Sequence, residues 1–241
     1  GETFTLDSIA DQPYTDSDIR PGVVLKDGQT LLVENKDYTV AYTQNKAVGT
    51  ANVTVTAIGN YTGTLETTFN IIANTSMLEI GEIQDVIYSG TEFRPEPIVK
   101  YAGIELENGV DYQLSYSDNV NVGVATVTVT GMGAYEGIVS KRVFVIATKD
   151  ISDFTVAGIE NVVYNGNERT FDVTVDNNGY KLILNKEFTV KYTANINHGT
   201  ATVTVTGIGN YRGEITETFE IAPKSIDGED FKLADIVAQI H

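Results

Sequence analysis

One block of sequence occurs three times in this chain of 241 residues, and the repetition constrains the fold more than any other feature. The segment Asp37–Gly63, DYTVAYTQNKAVGTANVTVTAIGNYTG, returns as DYQLSYSDNVNVGVATVTVTGMGAYEG at Asp111–Gly137 and as EFTVKYTANINHGTATVTVTGIGNYRG at Glu187–Gly213. Self-similarity at a nearly fixed spacing is the signature of a tandem array of one structural unit. The chain is therefore predicted to contain three copies of one small domain.

The beginning of each copy sets the domain boundaries. A similar segment ending in tyrosine opens every copy, at Phe4–Tyr14, Leu78–Tyr88 and Phe154–Tyr164, and it starts once more at Phe231. We therefore predict domains at residues 1–74, 75–149 and 150–223, followed in residues 224–241 by the first strand of a truncated fourth. Because strand 231–240 lacks the rest of its domain, we expect it to pair with the third copy or with a sheet edge of a neighbouring molecule.

Alternation of apolar and polar residues predicts that every copy is built of β-strands. The alternation is clearest in residues 38–43 and 51–56. In the last strand of the second copy, direct alignment with the first places Val139, Val143 and Val145 on the buried face. Six or seven short strands per copy and no helical period predict an all-β chain of three tandem small Ig-like antiparallel β-sandwich domains. Since the linkers are short and contain no Gly/Ser tract, we expect these domains to form an elongated rod.

The charge balance excludes several classes of partner. With 33 acidic and 16 basic residues, the net charge is −17, and it is spread about evenly over the copies. Such a surface repels phosphate backbones and anionic lipid headgroups, so we expect no binding to nucleic acid. No apolar run approaches the ~20 residues that a membrane-spanning helix needs, so we expect no membrane insertion. The chain has no cysteine, which excludes disulfides and thiol chemistry.

The sequence contains no recognisable catalytic constellation. The histidines are His198, in a predicted turn, and His241, and there is no G-x-S-x-G motif, P-loop or zinc spacing. We therefore predict that the protein is not an enzyme and uses no cofactor. Asp37, Asp111 and Glu187 precede the same strand in each copy, where they could bind Ca²⁺ or cap a turn. A turn explains the recurrence as well as calcium does, so no metal site is predicted.

The repeated frame D-Y-x-V-x-Y, followed by G-T-A-x-V-T-V-T-G-x-G-N-Y-x-G and F-x-I, resembles the tandem Ig-like repeats in large surface proteins of Gram-positive gut bacteria. The match covers essentially the whole chain and is best for Asp37–Ile71 and Glu187–Ile221. The second copy departs from the frame at Val124, Ala134 and Val143. The resemblance implies a structural or adhesive role, as a stalk or spacer of a secreted or wall-attached protein outside the bacterial cell. It implies no catalytic residues.

Three aromatic residues fall outside the repeated pattern and are candidates for contact with a ligand or with an adjacent copy. Direct alignment places Phe144 on the polar face, where the other copies carry Asn70 and Glu220, and Tyr101 and Tyr180 lie near the predicted hairpins. Aromatic side chains often line ligand sites, so the alternative function is a carbohydrate-binding module that uses these three residues. We favour packing against an adjacent copy. The expected partner is a host or cell-surface protein or a glycan.

Overall fold

The computed structural model describes residues 4–227, so the tail strand predicted at 231–240 lies outside the described residues. Within the described range, the regular structure consists of β-strands and two short 3-10 turns at Thr75–Met77 and Gly133–Tyr135, without an α-helix. The prediction of an all-β chain is confirmed.

The strands are numbered in chain order. The first copy contains β1 (Phe4–Leu6), β2 (Gln12–Pro13), β3 (Leu25–Asp27), β4 (Thr30–Leu31), β5 (Tyr38–Thr43), β6 (Gly49–Ala57) and β7 (Thr64–Ile72). The second copy contains β8 (Leu78–Ile80), β9 (Val86–Ile87), β10 (Val99–Tyr101), β11 (Ile104–Glu105), β12 (Tyr112–Ser117), β13 (Gly123–Gly131) and β14 (Val139–Ala147). The remaining strands are β15 (Lys149–Asp150), β16 (Thr155–Ala157), β17 (Val162–Val163), β18 (Thr174–Asn177), β19 (Tyr180–Lys181), β20 (Phe188–Thr193), β21 (Gly199–Gly207), β22 (Tyr211–Arg212) and β23 (Glu214–Ala222).

Each copy folds into one three-stranded and one four-stranded sheet. The small sheets have the strand orders β1-β3-β4, β11-β10-β8 and β16-β18-β19, and the large sheets have the orders β2-β7-β6-β5, β12-β13-β14-β9 and β17-β23-β21-β20. The core of the first copy includes side chains from both sheets, since Leu25 of β3 belongs to the same buried cluster as Val53 of β6 and Phe69 of β7. Burying both apolar faces against each other is the usual solution for a chain of alternating strands.

The prediction of antiparallel sheets is wrong at one strand of every large sheet. β2, β9 and β17 each pair in parallel with the last strand of their copy, as Gln12 pairs with Ile71. β5, β6 and β7, in contrast, pair antiparallel. Alternation of side chains determines which face of a strand is buried but not the direction of its neighbour. The sequence pattern therefore could not distinguish the two pairings.

The described residues divide into two compact units. One comprises residues up to Asp85 together with Glu92–Asn119 and Val124–Val145, and the other comprises Val86–Thr91, Val120–Gly123 and the residues from Ile146 onward. Each unit therefore contains strands of the second copy, and each has a buried hydrophobic cluster of its own.

The last strand of the second copy buries the face opposite to the one predicted. In β14, Phe144 is 2% exposed and Val143 is 57% exposed, and Val139 and Val145 are exposed as well. The placement of Phe144 on the polar face, and of the three valines on the buried face, is therefore wrong.

One extra residue before β14 causes this change of face. In the first copy the backbone amide of Ala57 donates to the carbonyl of Gly63 at 2.9 Å, whereas the equivalent amide of Gly131 donates to the carbonyl of Ile138 at 2.8 Å. The corner of the second copy is thus one residue longer. Because side chains alternate with a period of two, one additional residue moves every following side chain to the opposite face. Phe144 consequently enters the core.

Candidate functional site

The tyrosines that recur at the same place in every copy are used for folding. One hydroxyl per copy donates to a backbone carbonyl 21 residues earlier, from Tyr42, Tyr116 and Tyr192. A second hydrogen bond, to a carbonyl 26 residues earlier, comes from the side-chain amides of Asn45, Asn119 and Asn195. These bonds satisfy backbone carbonyls of a long connection that has few ladder hydrogen bonds of its own. The repeated polar side chains therefore hold a loop in place.

The acidic residue before the same strand caps a turn in every copy. Its carboxylate accepts the backbone N–H of the residue four positions earlier at 2.8 Å, as Asp37 does from Val33, Asp111 from Glu107 and Glu187 from Ile183. Of the two explanations that the sequence leaves open, the structure shows the turn. Among residues 4–227, no three acidic or histidine side chains are close enough together to hold a metal ion.

Tyr101 packs between the first and second copies. Its ring centroid lies 5.3 Å from that of Tyr14 and 5.1 Å from that of Tyr135. The Tyr101 hydroxyl accepts a hydrogen bond from the backbone amide of Asn74 in the linker, at 2.7 Å. Because the side chain is buried, its ring does not offer a surface to a ligand. Phe144, in the core of the second copy, offers none either.

Tyr180 is the one member of the predicted trio whose side chain is exposed. Its hydroxyl donates to Oε1 of the buried Glu187 at 2.9 Å. Together with Tyr88, Lys149 and Tyr211, it lines a cleft of about 310 Å³. The rings of Tyr88 and Tyr211 meet edge to face, with centroids 5.5 Å apart. Two of the aromatic rings that line the cleft, those of Tyr88 and Tyr211, therefore contact each other. Of the three tyrosines in the lining, only Tyr180 is half exposed.

Backbone pairing joins the linker before the third copy to the corner of that copy. β15 runs parallel to β22. The amide of Lys149 donates to the carbonyl of Asn210, and the amide of Ile151 donates to the carbonyl of Arg212, both at 3.0 Å. The side chain of Asn210 also accepts the amide of Val122, a residue of the second copy, at 3.0 Å. The linker is thus fixed as an additional strand.

Burial raises the pKa of the tyrosines at these junctions. For Tyr211 the largest cause is burial, and the nearby charges of Glu187 and the neighbouring tyrosines act in the same direction. Burial also raises the pKa of Tyr135, with a smaller contribution from Asp111. For Tyr101 burial raises the pKa, and the hydrogen bond from Asn74 offsets part of this rise. A phenolate is disfavoured at all of these positions because the charged form cannot be solvated there.

The raised tyrosine pKa values predict loss of stability at alkaline pH. The unfolded chain releases its tyrosine protons near pH 10, whereas folded Tyr211 holds its proton to higher pH. The stabilisation is therefore fully present below about pH 10 and is lost as pH rises toward the folded pKa. Urea unfolding at a series of pH values, with tyrosinate absorbance as a second signal, measures this. Tyr211→Phe keeps the ring and removes the proton, so a decline as steep as in the unsubstituted chain would contradict the explanation.

A small apolar cavity lies in the first copy and was not predicted. It has a volume of about 150 Å³, and its lining includes Phe4, Leu25, Leu32, Val55, Tyr61 and Leu65. Leu25, Leu32 and Val55 are buried, whereas Phe4 and Leu65 at the mouth are partly exposed. Each lining residue has the sequence pattern of an ordinary core position, so the sequence of this copy does not indicate a cavity.

Comparisons with known proteins do not assign a family. No family model matches the chain, and no curated protein matches it. Among solved structures, the chain is similar to a protocadherin gammaB7 EC3-6 cis-dimer, with 12% identity over 92% of this chain and 73% of the other and a TM-score of 0.29. It is also similar to domains 4-9 of the surface layer protein SbsC, with 14% identity over 93% of this chain and 48% of the other and a TM-score of 0.22. In the part of the chain that the structure describes, no helix has the length and apolar character to span a membrane.

Proposed function

We propose that this chain is a non-enzymatic structural or adhesive segment, acting as a stalk or spacer, of a secreted or wall-attached bacterial surface protein. The observation that supports this role best is the construction of the linkers. Both linkers between copies carry hydrogen bonds to the following copy and lie next to buried aromatic rings. Such hydrogen bonds and ring contacts resist bending between copies. A stalk that holds a distal domain away from the cell surface requires this resistance.

The first linker is ordered by side chains. The side-chain oxygen of Asn74 accepts a hydrogen bond from the backbone amide of Ser76 at 3.1 Å. The backbone amide of Asn74 donates to the hydroxyl of Tyr101. Bending at this point would break these bonds and expose the contacts among Tyr14, Tyr101 and Tyr135. Contacts between buried aromatic rings contribute about 0.5–1.5 kcal/mol per pair beyond the area they bury. The joint therefore favours one orientation.

The second linker is ordered by its backbone. Lys149 and Ile151 donate to the corner of the third copy, and the rings of Phe154 and Tyr211 meet with centroids 6.0 Å apart. Because successive small domains are individually marginal in stability, contacts between neighbours also stabilise the array. We propose on this basis that the domains at residues 1–74, 75–149 and 150–223 form an elongated rod. The partner at its distal end would be a host or cell-surface protein or a glycan.

Small-angle X-ray scattering tests the rod. Three copies in line, with strands of about 8 residues at 3.3 Å per residue plus the loops at both ends of each copy, give a length of about 100 Å and a radius of gyration of about 30 Å. A compact globule of the same chain length would have a radius of gyration of about 18 Å. We expect the larger value. A flexible Gly-Ser segment inserted between Thr148 and Lys149 serves as the control, since it should broaden the distance distribution without unfolding the copies. A radius near 18 Å for the unaltered chain would remove the proposal.

A further inference from the structure

The junction between the first and second copies shows how one hairpin tyrosine fills the space beside two others. Tyr101, the last residue of β10, has its ring centroid 5.3 Å from that of Tyr14 and 5.1 Å from that of Tyr135. It is 3% exposed, and its hydroxyl accepts a hydrogen bond from the backbone amide of Asn74. Three rings and the linker therefore close this junction around one buried side chain.

The junction between the second and third copies has an asparagine at the position of that buried tyrosine. Asn177 occupies, in the hairpin of β18 and β19, the place that Tyr101 occupies in the hairpin of β10 and β11. The two flanking tyrosines are present again as Tyr88 and Tyr211, with ring centroids 5.5 Å apart. Because asparagine has no ring to pack beside them, the cleft of about 310 Å³ stays open. The cleft thus arises from one difference between the copies.

Residues that line this cleft carry polar groups without a protein partner. Asn177 is half-buried, and no hydrogen bond among residues 4–227 uses its side-chain amide. Within the same range, the hydroxyls of Tyr88 and Tyr211 and the ammonium of Lys149 form no hydrogen bond or ion pair. Tyr211 is 5% exposed, and the hydroxyl of so buried a ring usually has a partner. The lining therefore has hydrogen-bonding capacity that the protein itself does not use.

Tyr180 adds an aromatic surface to these polar groups. It is 48% exposed, and the hydrogen bond from its hydroxyl to Oε1 of Glu187 holds the ring in position. Small-molecule sites combine aromatic side chains with a few placed polar groups, in volumes from about 300 Å³ upward. A hexose has an apolar face of C–H groups and a rim of hydroxyls that both donate and accept. A sugar ring matches this lining in both respects.

The charges beside the cleft favour a neutral ligand. The ammonium of Lys149 lies 5.5 Å from the ring centroid of Phe154, and the buried carboxylate of Glu187 lies next to Tyr180. These two groups carry opposite charges, so they offset each other. The net charge of −17 repels anions from the chain as a whole. An acidic sugar is therefore disfavoured relative to a neutral one.

We propose that this cleft binds one neutral hexose residue of a glycan, with the sugar face on the ring of Tyr180 and its hydroxyls bonded by Asn177 and Lys149. The first junction does not offer such a site, because Tyr101 occupies the equivalent space. A spacer acts without binding a sugar, so failure of this inference would leave the proposed function untouched. The scattering experiment on the rod likewise needs no sugar.

Amide chemical shifts of the isotope-labelled chain, recorded during titration with a sugar, test the inference. The probes are the methyl glycosides of glucose, galactose, mannose and N-acetylglucosamine. At the binding free energy per non-hydrogen atom that is usual for ligands, a methyl hexoside has a dissociation constant of about 1–10 mM. We expect at least one probe to shift the amides of Ser89–Thr91 and Lys149, which line the cleft. If none of the four moves them at about 50 mM, the proposal is overturned.

Asn177→Tyr tests whether the open space is the site. The new ring would stand where Tyr101 stands in the first junction, so we expect the cleft to fill and binding to weaken at least tenfold. The matched control is Asn167→Tyr, which adds the same side chain at an exposed asparagine of the third copy outside the cleft. It should bind as the unaltered chain does. Unchanged binding by a folded Asn177→Tyr chain would overturn the proposal.

Two substitutions of Tyr180 separate its ring from its hydroxyl. Tyr180→Ala removes the aromatic surface, and we expect it to weaken binding about tenfold. Tyr180→Phe keeps the ring and loses only the hydrogen bond to Glu187, so binding should change little. Equal losses for the two variants would overturn the stacking on which the proposal depends.

A titration with p-cresol tests the other occupant that the first junction suggests, an aromatic side chain. This molecule has the ring and hydroxyl of tyrosine but only one hydrogen-bonding group, so it leaves most polar groups of the cleft unbonded. We expect it to bind more weakly than the best methyl glycoside. Shifts at Ser89–Thr91 with p-cresol and none with any glycoside would overturn the proposal and assign the cleft to an aromatic side chain.

Discussion

Replacing Phe144 by alanine is expected to lower the free energy of unfolding of the second copy by about 3–5 kcal/mol, the range measured for truncation of a buried phenylalanine. The side chain is 2% exposed at the centre of β14, so its removal leaves a cavity in the core of the second copy. Urea unfolding followed by far-ultraviolet circular dichroism measures the change. Hydrogen exchange of the amides of β12, β13 and β14 would localise it to the second copy.

The neighbouring valine is the matched control for Phe144. Val143 is 57% exposed on the opposite face of the same strand, and exposed substitutions away from special features usually change stability by less than about 0.5 kcal/mol. Val143→Ala should therefore be close to neutral. Alignment of the copies without a gap predicts the reverse order of effects. A large loss for Val143→Ala together with a small loss for Phe144→Ala would show that the strand has the other face in the core.

Replacing Ile151 by alanine is expected to cost about 2–5 kcal/mol. Ile151 is fully buried in the cluster of the third copy although it lies in a linker. Its amide still donates to Arg212 after the substitution, because alanine keeps the backbone N–H, so the loss reports on the side chain alone. Urea unfolding measures the change, and exchange of the β22 amides should accelerate.

Ile226→Ala provides the comparison at the same position of the linker pattern. Its side chain is 76% exposed, so we expect the free energy of unfolding of the dilute chain to change by less than about 0.5 kcal/mol. The same residue type in the same sequence context is thus expected to differ in effect, because Ile151 is buried and Ile226 is exposed. Equal losses at the two positions would contradict the exposure of Ile226.

Much of the fold could be predicted from the sequence because strand patterning and repetition are local signals. Alternation in residues 38–43 predicts a strand, and the structure has β5 there. The repeated corner glycines Gly59, Gly133 and Gly209 have φ of +68°, +57° and +68°. A residue with a side chain would be strained in this conformation. Such features depend on a few neighbouring residues, so one copy of the sequence contains all the information required.

The predicted contact residues show where this information ends. Phe144 was misplaced because a single extra residue at Ile138 reverses the faces of β14, and an ungapped alignment cannot show it. Tyr101 and Tyr180 both lie near a predicted hairpin, so the sequence does not distinguish them. In the structure, Tyr101 is buried between copies and Tyr180 is half exposed beside a cleft. Which of two aromatic side chains meets a neighbouring copy depends on the geometry of the joint. That geometry arises from contacts between residues far apart in the chain.

The sequence by itself determined the all-β class, the repetition and a net charge that repels anionic partners. These properties follow from side-chain alternation, self-similarity and composition, none of which depends on how distant segments pack. Only the tertiary structure decided the direction of β2, β9 and β17, the buried face of β14, and the burial of the linker residue Ile151 in the core of the third copy. The physical reason is that each depends on which distant segments meet, and an apolar residue such as Ile151 or Ile226 has the same sequence signature whether or not a core receives it.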